Sequence, residues 1–373
     1  MFLALKEIRH SKTRFVMIGI ILVLISWLVF ILSGLGNGLA ALAASTFKNM
    51  DADYVVFEKG SKASMGKSLL SGELTARLTE IPGVEAASPM GIIFGSTVRE
   101  SGDPEEFKLD IALVGIEPGS FLEPDVAEGA GLDAGSPTHV LANESLKDEG
   151  FRIGDTFVLD GTTEELTIAG FVRDQTYNHI ASVFIPIETW RKLAFAAPGS
   201  DKGLKDPVNA IMLQGKDIDP NAINERLPGT ETVTRGQAVQ GISGYKEETG
   251  TIFMMLGFLF VISAFIVGVF FYVLTMQKSN QFGIMKAIGA KNGFLGKAVI
   301  SQVFVLSLAS ILVGILLTYG TAAVLPKGMP FRLETSWVIA YSLILLAISL
   351  ASALISVRTV VKIDPLKALG RVE

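Results

Sequence analysis

The residues of this chain that could do chemistry are few, and most of the familiar arrangements fail on spacing. Gly60-Ser-Lys-Ala-Ser-Met-Gly66-Lys67-Ser68 has the ring of a phosphate-binding loop. That motif needs four residues between its glycines, so that successive N–H groups wrap a phosphate. Here five intervene, and Ser61 stands where a glycine belongs. The three histidines, His10, His139 and His179, are scattered, and no HExxH or GxSxG pattern occurs. With no cysteine in the chain, disulfides, thiolate metal sites and cysteine nucleophiles are excluded. What is left is a set suited to binding. Glu58 and Met65 follow a strand-like run, and Tyr245, Met254 and Met255 flank the start of a long apolar run. Carboxylate, thioether and phenol groups can all serve as axial ligands of haem iron, and methionine packs adaptably on flat apolar ligands. Tyr177 and His179, in Arg173-Asp-Gln-Thr-Tyr-Asn-His, form a second polar-aromatic cluster. Met254 and Met255 could equally be plain packing and Glu58 a solvated strand residue, so the residues alone leave both readings open.

The elements that must position these groups follow from composition. Of 373 residues 49% are hydrophobic and 18% charged, too apolar for an ordinary soluble protein and too charged for a wholly embedded one. Four runs, Phe15–Leu35, Thr251–Met276, Ala298–Leu325 and Trp337–Val357, can each cross about 30 Å of hydrocarbon at about 1.5 Å per residue. The division expected is 1–47 for a basic amphipathic lead-in, the first span and a stalk, 48–246 for an extracellular α/β domain, and 247–276 for a second stalk and span. A loop at 277–297, a span at 298–325, an outer link at 326–336, a span at 337–357 and a tail at 358–373 follow. The run Ala41-Leu-Ala has the form of a processing site, but the apolar stretch before it is too long for a usual signal core, so it reads as an anchor.

Charge sets the orientation. The segment before the first span, the 277–297 loop and the tail together hold 12 of the 32 basic residues but only 3 of the 37 acidic ones. Lys and Arg concentrate on the cytoplasmic side, which puts both termini and that loop inside and the acidic bulk outside. Gly34 and Gly38 form a GxxxG pair that lets two backbones approach closely. The favoured partner is the stalk of a second copy, with packing inside one chain as the alternative. Between Asp51 and Gln240 strand-like runs alternate with short helical ones, a mixed α/β pattern.

The 277–297 loop is patterned rather than slack. Phe282, Met285 and Ile288 recur at helical spacing, which predicts a short amphipathic helix with Gly289 as its stop. Such a helix suits a groove on a partner protein, or the headgroup layer. Phe282-Gly-Ile-Met-Lys-Ala-Ile-Gly-Ala290 resembles the cytoplasmic signature of FtsX-like permeases, the membrane subunits of MacB-type ABC systems. Val140-Leu-Ala-Asn-Glu-Ser-Leu followed by Gly150-Phe-Arg-Ile-Gly-Asp155 is similar to their periplasmic core domain, and Val361-Lys-Ile-Asp-Pro-Leu-Lys-Ala-Leu to their tail.

The resemblance implies four transmembrane helices with an inserted MacB-like domain, a homodimer in the cell membrane, and two copies of a cytosolic ABC ATPase. That subunit would bind ATP and Mg, so this chain is not expected to be an enzyme. Phe282, Gly283, Met285, Lys286 and Gly289 become the coupling residues. The haem-efflux branch of the family is the most similar, which makes haem the expected cargo and Glu58, Met65, Tyr177, Tyr245, Met254 and Met255 its candidate contacts, with Glu58 and Met255 foremost for iron. The alternatives are an FtsX-like signalling permease that activates an extracellular partner, or LolC- or MacB-like export of lipoproteins or other amphiphiles. Membrane lipids are partners in every case, and nucleic acid in none.

Overall fold

The computed structural model describes residues 12–98, 108–326 and 328–361. Most of the basic lead-in and the tail with its Pro-Leu-Lys-Ala-Leu run therefore lie outside the described residues. The chain divides into two compact units, one of 1–38 with 249–373 and the other of 39–248.

The first unit is built from four long helices: α1 (Lys12–Asn49), α6 (Tyr245–Gln277), α8 (Asn292–Ala322) and α9 (Thr335–Val361). All four are long and apolar enough to span a membrane. Their apolar residues run all the way round, as expected where lipid rather than water faces the outside. Two clusters hold the bundle. Phe15, Ile18 and Leu22 pack on Val267, Phe271 and Val303. Val29 and Phe30 pack on Leu256, Ile311 and Tyr341. At 38 residues α1 is about 57 Å long, nearly twice the hydrocarbon thickness, and its last turns belong to the second unit.

Gly34 and Gly38 make their close contact within this unit. A Cβ on Gly34 would lie 2.4 Å from the Phe331 ring, and one on Gly38 would lie 2.2 Å from the Pro330 carbonyl oxygen. The Arg332 N–H donates to the Gly34 oxygen at 2.9 Å. Of the two partners expected for this pair, a second copy or the same chain, the contacts seen here are with the chain's own link between α8 and α9. That link must fold back over α1, and only glycine leaves room for it.

The second unit is a mixed α/β domain. Its strands are β1 (Tyr54–Glu58), β2 (Leu70–Ser71), β3 (Ala86–Val98), β4 (Lys108–Ile116), β5 (Val126–Gly129), β6 (His139–Asn143), β7 (Thr156–Leu159), β8 (Glu165–Val172), β9 (Thr176–Tyr177), β10 (Ile180–Pro186), β11 (Pro207–Val208), β12 (Ala210–Gln214) and β13 (Thr230–Thr234). Short helices α2 (Leu74–Thr79), α3 (Ile187–Ala194), α4 (Pro220–Arg226) and α5 (Arg235–Gln240) punctuate them. The main sheet runs β13-β1-β12-β3-β4-β10-β6-β8-β5, and β7 pairs with both β3 and β8. Six of these strands therefore close into a ring. The pairs β4–β10 and β6–β8 are parallel, and the other pairs are antiparallel.

Strand alternation gives the sheet two cores. On β4, Ile111 and Leu113 enter one cluster while Ala112 and Val114 enter the other, the period-two consequence of a strand covered on both faces. The second cluster also takes in Ala44 and Phe47 from the last turns of α1 and Met50 just beyond it. This is why the unit starts at 39 rather than at the expected 48. Gly91 and Gly115 face each other across β3 and β4, and a Cβ on either would lie within 2.4 Å of the Trp190 side chain. The two glycines form a slot into which α3 drops the fully buried Trp190.

Trp190→Ala should cost about 3–5 kcal/mol through the cavity it leaves. The expected outcome is a clear fall in the unfolding midpoint of the full chain in detergent, with Gly115→Ala falling in the same direction.

Candidate functional site

Three places bear on function: a loop helix, an apolar groove and a clamp on the end of α1.

The loop helix, α7 (Ser279–Ala287), ends as expected before Gly289, whose φ of +96° only glycine adopts cheaply. Of the three side chains whose spacing set its expected apolar face, Phe282 and Met285 turn inward while Ile288 is exposed. Phe282 is buried and packs with Leu295 and Val299 of α8, with Met285, Ala290 and Val357 against the same cluster. Gly283 is buried as well. The exposed apolar side chains are Ile284 and Ile288, at 50% and 81% exposure. Phe282 and Met285 fix the loop to the bundle, and the one-turn pair Ile284/Ile288 is what the loop offers outward. Both pairs are apolar at helical spacing, so periodicity alone could not choose between them.

The groove lies between α1 and α6. Leu28, Ile31, Leu32 and Leu35 form one wall, and Met255, Phe258 and Leu259 the other, around a cavity of about 430 Å³. That volume is within the common range for small-molecule sites, about 300–1,000 Å³. Met255 supplies the only heteroatom among these side chains. Met254 is exposed but does not line the groove. The wall of α1 went unnoticed in the sequence because leucines in a span carry no signal beyond lipid solubility.

The other predicted contacts lie in the α/β unit. Glu58 ends β1 half-buried, its Oε2 accepting from the Leu69 N–H at 3.1 Å and its own N–H donating to Ser68 Oγ at 2.9 Å. Met65 lies in the one-turn helix Met65–Lys67, with its side chain in the core. The Gly60–Ser68 stretch is thus a structural loop, in which Ser68 also donates to the Asn209 carbonyl. Tyr245 opens α6 partly buried, its ring 5.2 Å from Lys48 Nζ. Tyr177 is buried between Phe47 and Phe94, with ring centroids at 5.6 and 5.9 Å. Burial holds its phenol far above the ordinary value, so it stays protonated and resists becoming a phenolate ligand. The structure therefore places Met65 and Tyr177 as core side chains rather than at an open site. Among the described residues, no group of three His, Asp or Glu side chains could hold a metal ion.

The clamp is formed by the β9–β10 turn. Asn178 and His179 both have left-handed backbone, with φ of 51° and 69°. Their N–H groups donate to the Ala43 and Leu42 oxygens of α1 at 2.9 and 3.1 Å. Ser45 Oγ and Thr176 Oγ1 meet at 2.8 Å, as do Thr46 Oγ1 and Ser182 Oγ, both pairs buried. Asn49 Nδ2 donates to the Asp174 oxygen at 2.8 Å, and Arg235 Nη1 donates to the Met50 oxygen. From the other side His179 Nε2 meets Glu248 Oε1, in the first turn of α6, at 3.0 Å. One turn thus holds the C-terminal end of α1 and the start of α6 to the sheet. The only hint in the sequence was Asn178, a residue that tolerates the left-handed region.

Four apolar spans around an inserted α/β domain define a membrane permease, with no catalytic constellation among the described residues. Residues 15–229 match the MacB-like periplasmic core domain and 253–365 the FtsX-like permease C-terminal domain. The chain belongs to this MacB/FtsX family of ABC transporter permeases. It is 26% identical, across all of both chains, to a putative hemin transport system permease protein, HrtB, of Staphylococcus haemolyticus. It is 25% identical over 99% of each chain to an uncharacterised ABC transporter permease of Mycobacterium tuberculosis. The periplasmic region of MacB from Actinobacillus actinomycetemcomitans superposes with a TM-score of 0.38 at 13% identity, over 52% of this chain and 94% of that one.

Thr46→Val should leave the buried Ser182 hydroxyl without its partner, at a cost of about 1–3 kcal/mol. Hydrogen exchange should accelerate across the last turns of α1 while the four-helix bundle keeps its protection.

Proposed function

We propose that this chain is the permease half of an ATP-driven exporter that takes haem from the membrane and releases it outward. The reading is carried by the α1–α6 groove, an apolar slot with a single soft donor, Met255. A slot of that lining suits a flat, apolar, iron-bearing ligand. The likeness to the staphylococcal hemin permeases over the whole chain supports it. Within the reading, Met255 is the foremost iron ligand, with Met254 beside it on α6. Glu58 and Tyr245, in the α/β unit, are separate candidates for contact with haem.

The drive comes from a separate ATPase, two copies of which bind ATP and Mg and dock at the 277–297 loops of a homodimer. Both termini lie in the cytoplasm, as the basic segments favour, and the α/β domain lies outside. The docking face is Ile284 with Ile288. Because Phe282 ties α7 to α8, a push on that face moves α8 rather than a loose loop. The long helices α1 and α6 act as levers, and the clamp at Asn178–His179 keeps the outer end of α1 from slipping.

Two measurements test this. Titrating haem into the purified protein should give a Soret shift that Met255→Ala abolishes or moves, while Tyr177→Phe leaves it unchanged. A protein that shows no shift, but retains an extracellular hydrolase or an adaptor, would favour the signalling or lipoprotein readings instead. Separately, Ile284→Asp or Ile288→Asp should uncouple ATP use from efflux with little loss of folded protein. Phe282→Asp should instead destabilise the loop itself. Full-rate efflux in the isoleucine variants would count against docking at this face.

A further inference from the structure

The membrane bundle contains a polar centre that transport does not explain. Ser26 of α1, Ser263 of α6, Ser307 of α8 and Ser349 of α9 border one small internal space, and each is at most 2% exposed. Every helix of the bundle contributes one hydroxyl. The rest of the lining is Leu22, Ile25, Ile311 and Leu345, so nothing else there forms hydrogen bonds through its side chain.

The four hydroxyls are not equivalent. Ser26 Oγ donates to the Val23 oxygen at 3.0 Å, and Ser349 Oγ donates to the Leu345 oxygen at 2.8 Å. Ser26 Oγ also reaches the Ser310 oxygen of α8 at 3.4 Å. Both protons are thus committed to backbone carbonyls, and the lone pairs are left for the space. Ser263 Oγ and Ser307 Oγ are buried and make no hydrogen bond. Burying a hydroxyl without a partner is unfavourable, and in a bilayer no solvent relieves it. Two donors and two acceptors thus border a space of about 10 Å³, close to the room that one water needs, roughly 10–15 Å³.

We propose that the bundle binds a single water molecule between these four serines. The water accepts from Ser263 and Ser307 and donates to Ser26 and Ser349, which satisfies its own four hydrogen-bonding positions and all four hydroxyls. A bound cation would serve the two acceptors but leave both free hydroxyl protons without a receiver, so the chemistry selects water. The approach of α8 that closes the site is possible because Gly314 has no side chain. A Cβ there would lie 2.2 Å from Ser26 Oγ. The water is then a polar pin shared by all four helices at one level, and its hydrogen bonds can be exchanged without breaking apolar packing.

Radiolytic hydroxyl labelling of the full-length protein in lipid nanodiscs, read by mass spectrometry, tests this, because an internal water generates radicals beside the residues it touches. Leu22, Ile25, Ile311 and Leu345 should be oxidised several-fold faster than Leu295, which is fully buried in a cluster of apolar side chains. The double variant Ser263→Ala/Ser307→Ala should bring them down to the Leu295 rate. Ser342→Ala should leave them unchanged, since Ser342 bonds only the Val338 oxygen of its own helix and does not border the space. Equal labelling of the four residues and Leu295 in the unmodified protein would overturn the proposal, as would labelling that persists in the double variant. The first comparison holds even if the double variant fails to fold.

Discussion

The constraint on which the rest of the molecule depends is that its helices pack in lipid. Hydrocarbon tails are as apolar as leucine, so no hydrophobic force draws the spans together. What remains is close packing and the need to satisfy every polar group internally. The bundle meets the first need with glycine. Gly314 admits Ser26, and Gly34 and Gly38 admit the Pro330–Phe331 link. It meets the second by turning hydroxyls onto backbone carbonyls. Thr318 bonds the Gly314 oxygen, Ser342 that of Val338 and Ser349 that of Leu345. Where a hydroxyl reaches across instead, as Ser310 Oγ does to the Gly19 oxygen at 3.2 Å, it ties α8 to α1.

The α/β unit solves the opposite problem. It folds without cysteine, so no cross-link restrains its unfolded chain, and its stability must come from apolar burial. The sheet therefore has a core on each face, filled by large side chains such as Trp190, Phe157 and Phe184. The closed ring of six strands leaves few edges to protect. Its hold on the last two turns of α1 joins apolar burial of Ala44 and Phe47 to a row of hydroxyl pairs and backbone donors. Polar contacts of this kind are directional, and they fix the helix's rotation more sharply than leucines would.

How legible this was in the sequence varied with the kind of signal. The four spans and most strands were readable because each rests on a run of one residue class. The boundary of the domain was not, because Ala44 and Phe47 look like more of the same apolar helix until the sheet is folded against them. The GxxxG pair was readable as a site of close approach, with a second copy or the same chain as its partner, and nothing in the sequence singled out the Pro330–Phe331 segment it meets here. A glycine pair announces that something will come near without saying what, and the Pro330–Phe331 segment has no pattern of its own. The site residues fared least well. Met65 and Met255 are the same side chain with opposite fates, one in a core and one facing a groove. That difference lies wholly in tertiary packing. The four buried serines were invisible for a related reason, since single serines in a span look like noise until four helices bring them to one point.

The loop at α7 shows how one ambiguity alters a mechanism. If Phe282 and Met285 faced outward, as its periodicity suggested, the loop would be attached to the bundle only through its chain ends. A partner pressing on it would first have to take up that slack. With Phe282 lodged against Leu295 and Val299, α7 and the start of α8 form one packed body. Under the docking proposed above, a displacement of Ile284 and Ile288 would pass to α8 through van der Waals contact at interior density, where compressibility is low. α8 in turn meets α1 at Gly314–Ser26 and again at Trp27, whose Nε1 donates to Thr321 Oγ1 at 3.1 Å. Coupling by rigid bodies needs no flexible relay. It needs contacts too short to absorb movement, and along α8 those contacts are made by a phenylalanine, a glycine and a hydrogen-bonded tryptophan.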